Sequence, residues 1–313
     1  MTETGAVTGV IGIALEIPDL ATGIRFYTDA GLNAAEADGR VRLTCPGSDE
    51  ASVTLLDGSG PMRLHHVALR ACGLDAIAAR VPDHGGAVVA PPAGHDAEGL
   101  WVADPLGVLF HLVDRARPDE VPVPQPFAIN APGRIVRVRH AAMPPVGSMP
   151  PGRPRRLGHV ALFTPDVMAS VAFVTGAFGM GLADRAQEIV AFCCARQNSD
   201  HHVLAFAKSP ATGLHHASFQ LADPDEVGRA GHALAQKAGK GHWGFGRHTI
   251  GSNFFQYIQD PWGSWFEYYS DMDFIDDYAL WQPTNYGMED AMANWGPPVP
   301  PDFVHNYQAG QPG

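Results

Sequence analysis

The chain has 313 residues, 45% of them hydrophobic and 17% charged, with a formal net charge of −12 from 33 acidic and 21 basic side chains. That length and apolar fraction suffice for one large or two ordinary cores, which excludes a disordered or fibrous chain, and the acid excess leaves no basic face for nucleic acid or anionic lipid. No segment approaches the roughly 20 apolar residues of a membrane-spanning helix and residues 1–23 lack a basic-then-apolar leader, so a cytoplasmic protein without nucleic-acid or membrane partners is expected.

Taken in chain order, the signals occur twice. Ile17-Pro18-Asp19 opens an amphipathic stretch through Phe26-Tyr27 that stops at Gly31-Leu32; Leu64-His65-His66-Val67-Ala68 and Asp104-Pro105-Leu106-Gly107 follow. Proline then recurs from 115 to 156, as in an extended connector. Beyond it, Thr164-Pro165-Asp166, Leu214-His215-His216-Ala217-Ser218 and Asp260-Pro261-Trp262-Gly263 repeat the three signals in the same order, each about 150 residues on. Within this second copy, alternation marks strands at 158–163, 188–195, 201–207, 215–221, 253–259 and 264–269. Helical spacing marks 166–178 and 223–238, and Gln197-Asn198-Ser199-Asp200 reads as a hairpin turn. The glycine run at 176–181 reads as a helix stop rather than a nucleotide loop. The organisation expected is a first module at 1–115, a proline-rich linker at 116–155, a second module at 156–275 and a tail at 276–313, whose Trp281, Tyr286, Trp295 and Phe303 point to packing on the surface or over a pocket, the alternative being a loosely held terminus.

Cys45, Cys72, Cys193 and Cys194 form no Cys-x-x-Cys and read as reduced thiols. The unusual count is 15 histidines, the commonest metal ligand and acid–base group near neutral pH. Period two puts His159 on a face with Ala161 and Phe163, His216 on one with Ser218 and Gln220, and Glu267 on one with Trp265 and Tyr269, leaving His215 on the opposite face from His216. Two imidazoles and a carboxylate on rigid strands suit a non-haem ferrous ion with open coordination positions.

The string Gly246-Arg247-His248, Tyr257, Asp260-Pro261-Trp262-Gly263 and Glu267 resembles the signature of the type I extradiol ring-cleavage dioxygenases of the vicinal oxygen chelate superfamily. One position departs, Gln256, where an aliphatic residue or Phe normally precedes the Tyr; this bears on packing. The resemblance implies an α+β fold of two vicinal oxygen chelate modules, each of paired βαβββ units forming an open barrel. It further implies Fe(II), or Mn(II), held by His159, His216 and Glu267, with O2 as co-substrate. His202, on the strand after the hairpin turn with His201 as its outward neighbour, corresponds to the family's active-site histidine, and His248 and Tyr257 to its substrate-binding pair. The implied reaction is meta-cleavage of a substituted catechol in aromatic catabolism by a homo-oligomer.

In the first module Gly12 and His111 stand where the second has His159 and Glu267, and His66 alone is retained, so that module is expected to be metal-free and to serve the interface and pocket shape. Other residues keep two readings each: His242 and Trp243 as pocket lining or plain loop, Arg247 as a substrate-carboxylate contact or a structural ion pair. The acids Asp271, Asp273, Asp276 and Asp277 lack calcium-loop spacing and read as a solvated turn. Competing functions are a non-oxidative glyoxalase or epimerase using Zn, Ni or Co, and a non-catalytic binder of aromatic ligands.

Overall fold

The computed structural model describes residues 5–37, 39–95, 97–117, 130, 135, 145 and 151–309. The linker expected over 116–155 therefore lies largely outside the described residues. The first module runs β1 (Ala6–Ile17), α1 (Leu20–Asp29), β2 (Asn33–Ala37), β3 (Arg40–Thr44), β4 (Ala51–Asp57), then β5 (Arg63–Cys72), α2 (Leu74–Arg80), β6 (Ala87–Val89), β7 (Leu100–Ala103) and β8 (Leu109–Asp114). The second runs β9 (Arg156–Thr164), α3 (Val167–Gly176), β10 (Gly181–Ala186), β11 (Val190–Cys194), β12 (Gln197–Asp200), β13 (Leu204–Lys208), then β14 (Gly213–Gln220), α4 (Pro224–Ala238), β15 (His242–Arg247), β16 (Phe254–Gln259), β17 (Trp265–Ser270), β18 (Phe274–Asp277) and β19 (Thr284–Tyr286).

The two large sheets share one strand order, read from opposite edges, with β19 added at one edge of the second. The first, with eight strands, is β2-β3-β4-β1-β5-β8-β7-β6, and the second, with nine, is β15-β16-β17-β14-β9-β13-β11-β10-β19. In each, the opening strands of two strand-helix-strand units pair antiparallel at the centre, β1 with β5 and β9 with β14. The paired βαβββ units that the resemblance implies are therefore the units of the fold.

Local chemistry explains why the signals repeat. The Asp of each Pro-Asp pair caps a helix: Asp19 accepts from Thr22 N at 3.1 Å and Asp166 from Ala169 N at 2.9 Å. Asp223 caps α4 through Glu226 N at 2.9 Å, with Pro224 at the first helical position, where its missing N–H costs nothing. In the Asp-Pro-x-Gly turns, Asp104 Oδ1 accepts from Leu106 and Val108 N at 2.9 and 2.8 Å, and Asp260 Oδ1 from Trp262 N at 2.9 Å.

One expected element is different. Residues 197–200 are not a hairpin turn but strand β12, which pairs with β18 near the C-terminus, and the next strand starts at Leu204 rather than at 201. His201 N donates to Asp273 O at 2.7 Å, extending that pairing past the strand end. The modules pack through reciprocal contacts that share one apolar core. Phe26 and Tyr27 of α1 meet Phe266 edge-on at 6.0 and 6.2 Å, Tyr268 Oη donates to Ala30 O at 2.8 Å, and Phe178 meets Phe110 edge-on at 5.3 Å. No described helix is long and apolar enough to cross a membrane.

Candidate metal centre

Three adjacent strands bring the expected ligands together. Ser218 of β14 is paired with His159 of β9 on one side and with Glu267 of β17 on the other, and His216 lies two residues from Ser218 on the same face. His159 Nε2 is 3.0 Å and His216 Nε2 3.5 Å from Glu267 Oε2, and the residues are 1%, 8% and 0% exposed. His216 Nε2 and Glu267 Oε2 are fully buried yet make no hydrogen bond with the protein. Buried lone pairs converging on one point are what a cation satisfies, and an N,N,O donor set suits Fe(II) or Mn(II). The residues present therefore fit the ion.

The supporting groups set orientation and charge. Asn253 Nδ2 donates to Glu267 Oε1 at 3.3 Å, holding the carboxylate. Burial alone would raise the Glu267 carboxyl, but the imidazoles of His159, His248 and His216 outweigh it and hold the group well below the usual range. Burial, reinforced by His215, holds His216 well below the usual histidine value, so its ring is neutral, as a ligand must be. His215 is not on the opposite face, as strict alternation requires. The register runs Leu214↔Leu162 then His216↔Ala161, so His215 is the extra residue of a bulge, and its Nδ1 comes within 2.8 Å of His216 Nδ1. When His216 donates that hydrogen, its Nε2 keeps a lone pair for the ion.

His202 is 4% exposed, and its ring centroid is 4.2 Å from that of His159. It precedes β13 rather than lying on it, and His201 is not its outward neighbour but fully buried: Nδ1 is 3.1 Å from His202 Nδ1 and Nε2 2.8 Å from Asp184 Oδ2. Burial, with like charge from His159 and His201, keeps His202 well below its usual value. On the other side His248 Nε2 is 3.0 Å from Tyr257 Oη and 3.8 Å from Glu267 Oε1. Burial and the Glu267 charge raise the Tyr257 phenol well above its usual value, so it stays a donor. The structure thus brings all six expected residues into one site.

An aromatic wall and the C-terminal tail close the surroundings. Trp243 stacks on Tyr257 with centroids 5.4 Å apart and donates from Nε1 to Pro297 O at 2.9 Å. Phe303 packs against Trp243, Tyr257 and His215 at 4.6, 5.0 and 4.9 Å, and Met292 O contacts His248 Nδ1. His242 is exposed, whereas Arg247 is structural, donating to Ser252 O at 2.8 Å and lying over the Phe254 ring. Gln256 is buried against Gly231 of α4, where a Cβ would lie 2.7 Å from its own, so the departure from the signature is a packing feature. Asp273 and Asp277 accept from Ser252 Oγ and Gln197 Nε2 at 2.8 and 3.0 Å and so do more than face solvent. Sequence reasoning missed Asn253 and Met292 and misplaced His215, whose signal was the His-His doublet shared by both copies; Phe303, one of the tail aromatics expected on the surface or over a pocket, lies against the site.

Residues 156–268 match the model of the Glyoxalase/Bleomycin resistance protein/Dioxygenase superfamily. "Metapyrocatechase 2" of Cupriavidus necator is 34% identical over 308 residues, covering 97% of this chain and 93% of its own. The Mn(II)-bound glyoxalase from Novosphingobium aromaticivorans superposes with a TM-score of 0.74 at 25% identity, over 96% of this chain and 95% of that one. Homoprotocatechuate 2,3-dioxygenase from Brevibacterium fuscum, in its E323L form, does so with 0.74 at 20%, over 97% and 82%. With repeat, topology and a relative of matching length in agreement, the chain belongs to the Glyoxalase/Bleomycin resistance protein/Dioxygenase superfamily.

Proposed function

We propose that the protein is an extradiol dioxygenase that opens the ring of a substituted catechol beside its two hydroxyls, with Fe(II) as its resident ion and both atoms of O2 entering the product. The observation that carries this reading is the buried His159–His216–Glu267 set with unsatisfied lone pairs, flanked by His202 on one side and the His248–Tyr257 pair on the other. The name of the Cupriavidus relative points the same way. The reading places the ion in residues 156–275 and leaves 1–115 to the interface. Four unpaired cysteines fit a reducing, cytoplasmic setting.

Bound by these three residues, the ion would supply one anchor for diol and dioxygen and acidify the phenolic hydroxyls. Everything else falls to the chain. His202 has Nδ1 committed to His201, which Asp184 holds in turn, so Nε2 is the ring nitrogen left to give and take a proton beside the centre. His248 Nδ1 donates to the Met292 carbonyl, so Nε2 accepts from Tyr257 Oη, and a substrate hydroxyl arriving beside Glu267 meets an oriented acceptor lone pair on that Oη. Trp243, Phe255 and Phe303 form a dry aromatic wall against the tail, which strengthens these contacts by excluding water.

A second reading, a non-oxidative glyoxalase-type enzyme, is favoured by the Mn(II)-bound glyoxalase among the neighbours. The donor groups speak against it, since the buried set contains a single carboxylate. The test is to load the protein anaerobically with Fe(II), admit air with a catechol, and follow an oxygen electrode and the visible spectrum. Oxygen uptake matched by a yellow ring-opened product supports the proposal. Zn- or Mn-dependent turnover of a thiol adduct without oxygen uptake overturns it in favour of the second reading.

A further inference from the structure

The first module repeats the geometry of the second more closely than its residue types suggest. Gly12, Ala68 and His111 are paired across β1, β5 and β8 as His159, Ser218 and Glu267 are across β9, β14 and β17. Judged on those positions the site is lost. Two residues outside them change the outcome. The register in β5 passes from Ala14↔His66 to Leu15↔Leu64, so His65 is a bulge residue like His215, and its Nδ1 lies 2.8 Å from His66 Nδ1. His95, from the loop before β7, stacks on His65 with centroids 4.5 Å apart and 14° between the planes.

One ring nitrogen from each of His65, His66 and His95 lies within 4.8 Å of the other two, in a group that contains no acid or thiol. Around the equivalent doublet of the second module this place is apolar, taken by Phe163 and Phe303 at 4.8 and 4.9 Å from His215. Trp101 backs the cluster, edge-on to His66 at 4.8 Å and to His95 at 5.6 Å. His111 is already committed, with Nε2 2.7 Å from the Glu98 carbonyl oxygen.

We propose that His65, His66 and His95 form a second metal site, taking one borderline divalent cation of the Zn(II), Ni(II) or Cu(II) class. Imidazole suits these ions, whereas Mg(II), Ca(II) and Mn(II) need oxygen donors that the cluster lacks. Imidazole nitrogens about 2.0–2.1 Å from an ion stand about 3 Å apart when adjacent, so a cation can replace the hydrogen now shared by the two Nδ1 atoms. His65 and His95 are half-buried, which leaves an entry path and room for water as a further ligand. Two features keep the site weaker than the His159–His216–Glu267 centre: it has no carboxylate, and Arg40 Nη1 stands 3.4 Å from His95 Nδ1. The ion would tie His95 to β5, and its binding does not depend on the reaction catalysed in the second module.

The experiment is titration of metal-free full-length protein with Zn(II), followed by calorimetry and by metal analysis after gel filtration. Two ions per chain are expected, the second binding more weakly. His95→Gln, a change in a half-buried loop residue, should weaken the second event by more than about 100-fold, beyond the roughly 10- to 100-fold that loss of a merely supporting partner costs. It should leave turnover unchanged. His216→Ala, which disables the other centre, should retain the weak event with its affinity intact. A single ion in the unaltered protein, two ions undiminished in His95→Gln, or none in His216→Ala overturns the proposal, whereas two ions in an inactive protein counts against the proposed reaction and supports this site.

Discussion

Gly158, immediately before His159, has no side chain because Tyr269 occupies the space. A Cβ at 158 would fall on Tyr269 Oη, with Cζ at 2.5 Å and Cε1 at 2.7 Å. Tyr269 is itself fully buried, donates from Oη to Asp200 Oδ2 at 3.1 Å, and places its ring 5.3 Å from that of His159. Gly158→Ala must therefore push the ring or bend β9. Overpacking of this kind costs about 1–3 kcal/mol, and losing a hydrogen bond to a charged acceptor costs about 1.5–3 kcal/mol more, giving about 2.5–6 kcal/mol together. Because either response moves His159, iron affinity should fall with stability. Denaturant unfolding of the metal-free protein measures the first and metal analysis the second. Tyr269→Phe should recover only part of the Gly158→Ala cost, since the ring carbons still collide. A Gly158→Ala protein within about 0.5 kcal/mol of the parent, the range of an ordinary surface change, with full iron content, would refute the reasoning.

Four further outcomes follow from the site and its supports. His215→Phe should lower Fe(II) affinity about 10- to 100-fold through loss of the Nδ1 partner of His216, with Asn at 215 restoring part of it, as equilibrium dialysis would show. His202→Phe should lower kcat by about 10²- to 10⁴-fold while metal content and substrate KM hold steady in steady-state assays. Burial pushes Asp260 from 3.8 up to about 7, so the native state holds a proton that the unfolded state releases above about pH 4, and stability attributable to this group falls as pH rises from about 4 to 7. Asp260→Asn should accordingly gain stability relative to the parent across that window, by about 4 kcal/mol in total, and run parallel to it above; pH-resolved urea melts would show this. Phe303→Ala should cost about 3–5 kcal/mol by emptying the space between Trp243, Tyr257 and His215, seen as a lower unfolding midpoint and looser substrate binding.

What was legible in the sequence was what short-range physics decides. The Asp caps, the Asp-Pro-x-Gly turns and the helix and strand periods depend on neighbours within a few residues, and each repeats in both copies. Period two sufficed to aim His159, His216 and Glu267 at one another once three strands lay side by side, because no bulge intervenes between Ser218 and either of its partners. Alternation failed where a residue was inserted in the ladder: the bulges at His65 and His215 break the phase, and nothing local in Leu-His-His marks them. It failed again where partners come from far along the chain. Gln197–Asp200 pairs with Phe274–Asp277, His201 is buried between Asp184 and Trp281, and Phe303 and Met292 reach the site from the tail. His95 lies in a loop outside the repeated signals, so comparing the two copies left it out.

One divalent ion is expected between His159 Nε2, His216 Nε2 and Glu267. Anomalous diffraction at the iron edge from crystals of anaerobically loaded protein tests it most directly. The expected result is a peak about 2.0–2.2 Å from all three donors, the reach of imidazole and carboxylate ligands to such an ion, and its disappearance in Glu267→Gln. Iron bound elsewhere with these three side chains still touching only one another would contradict it.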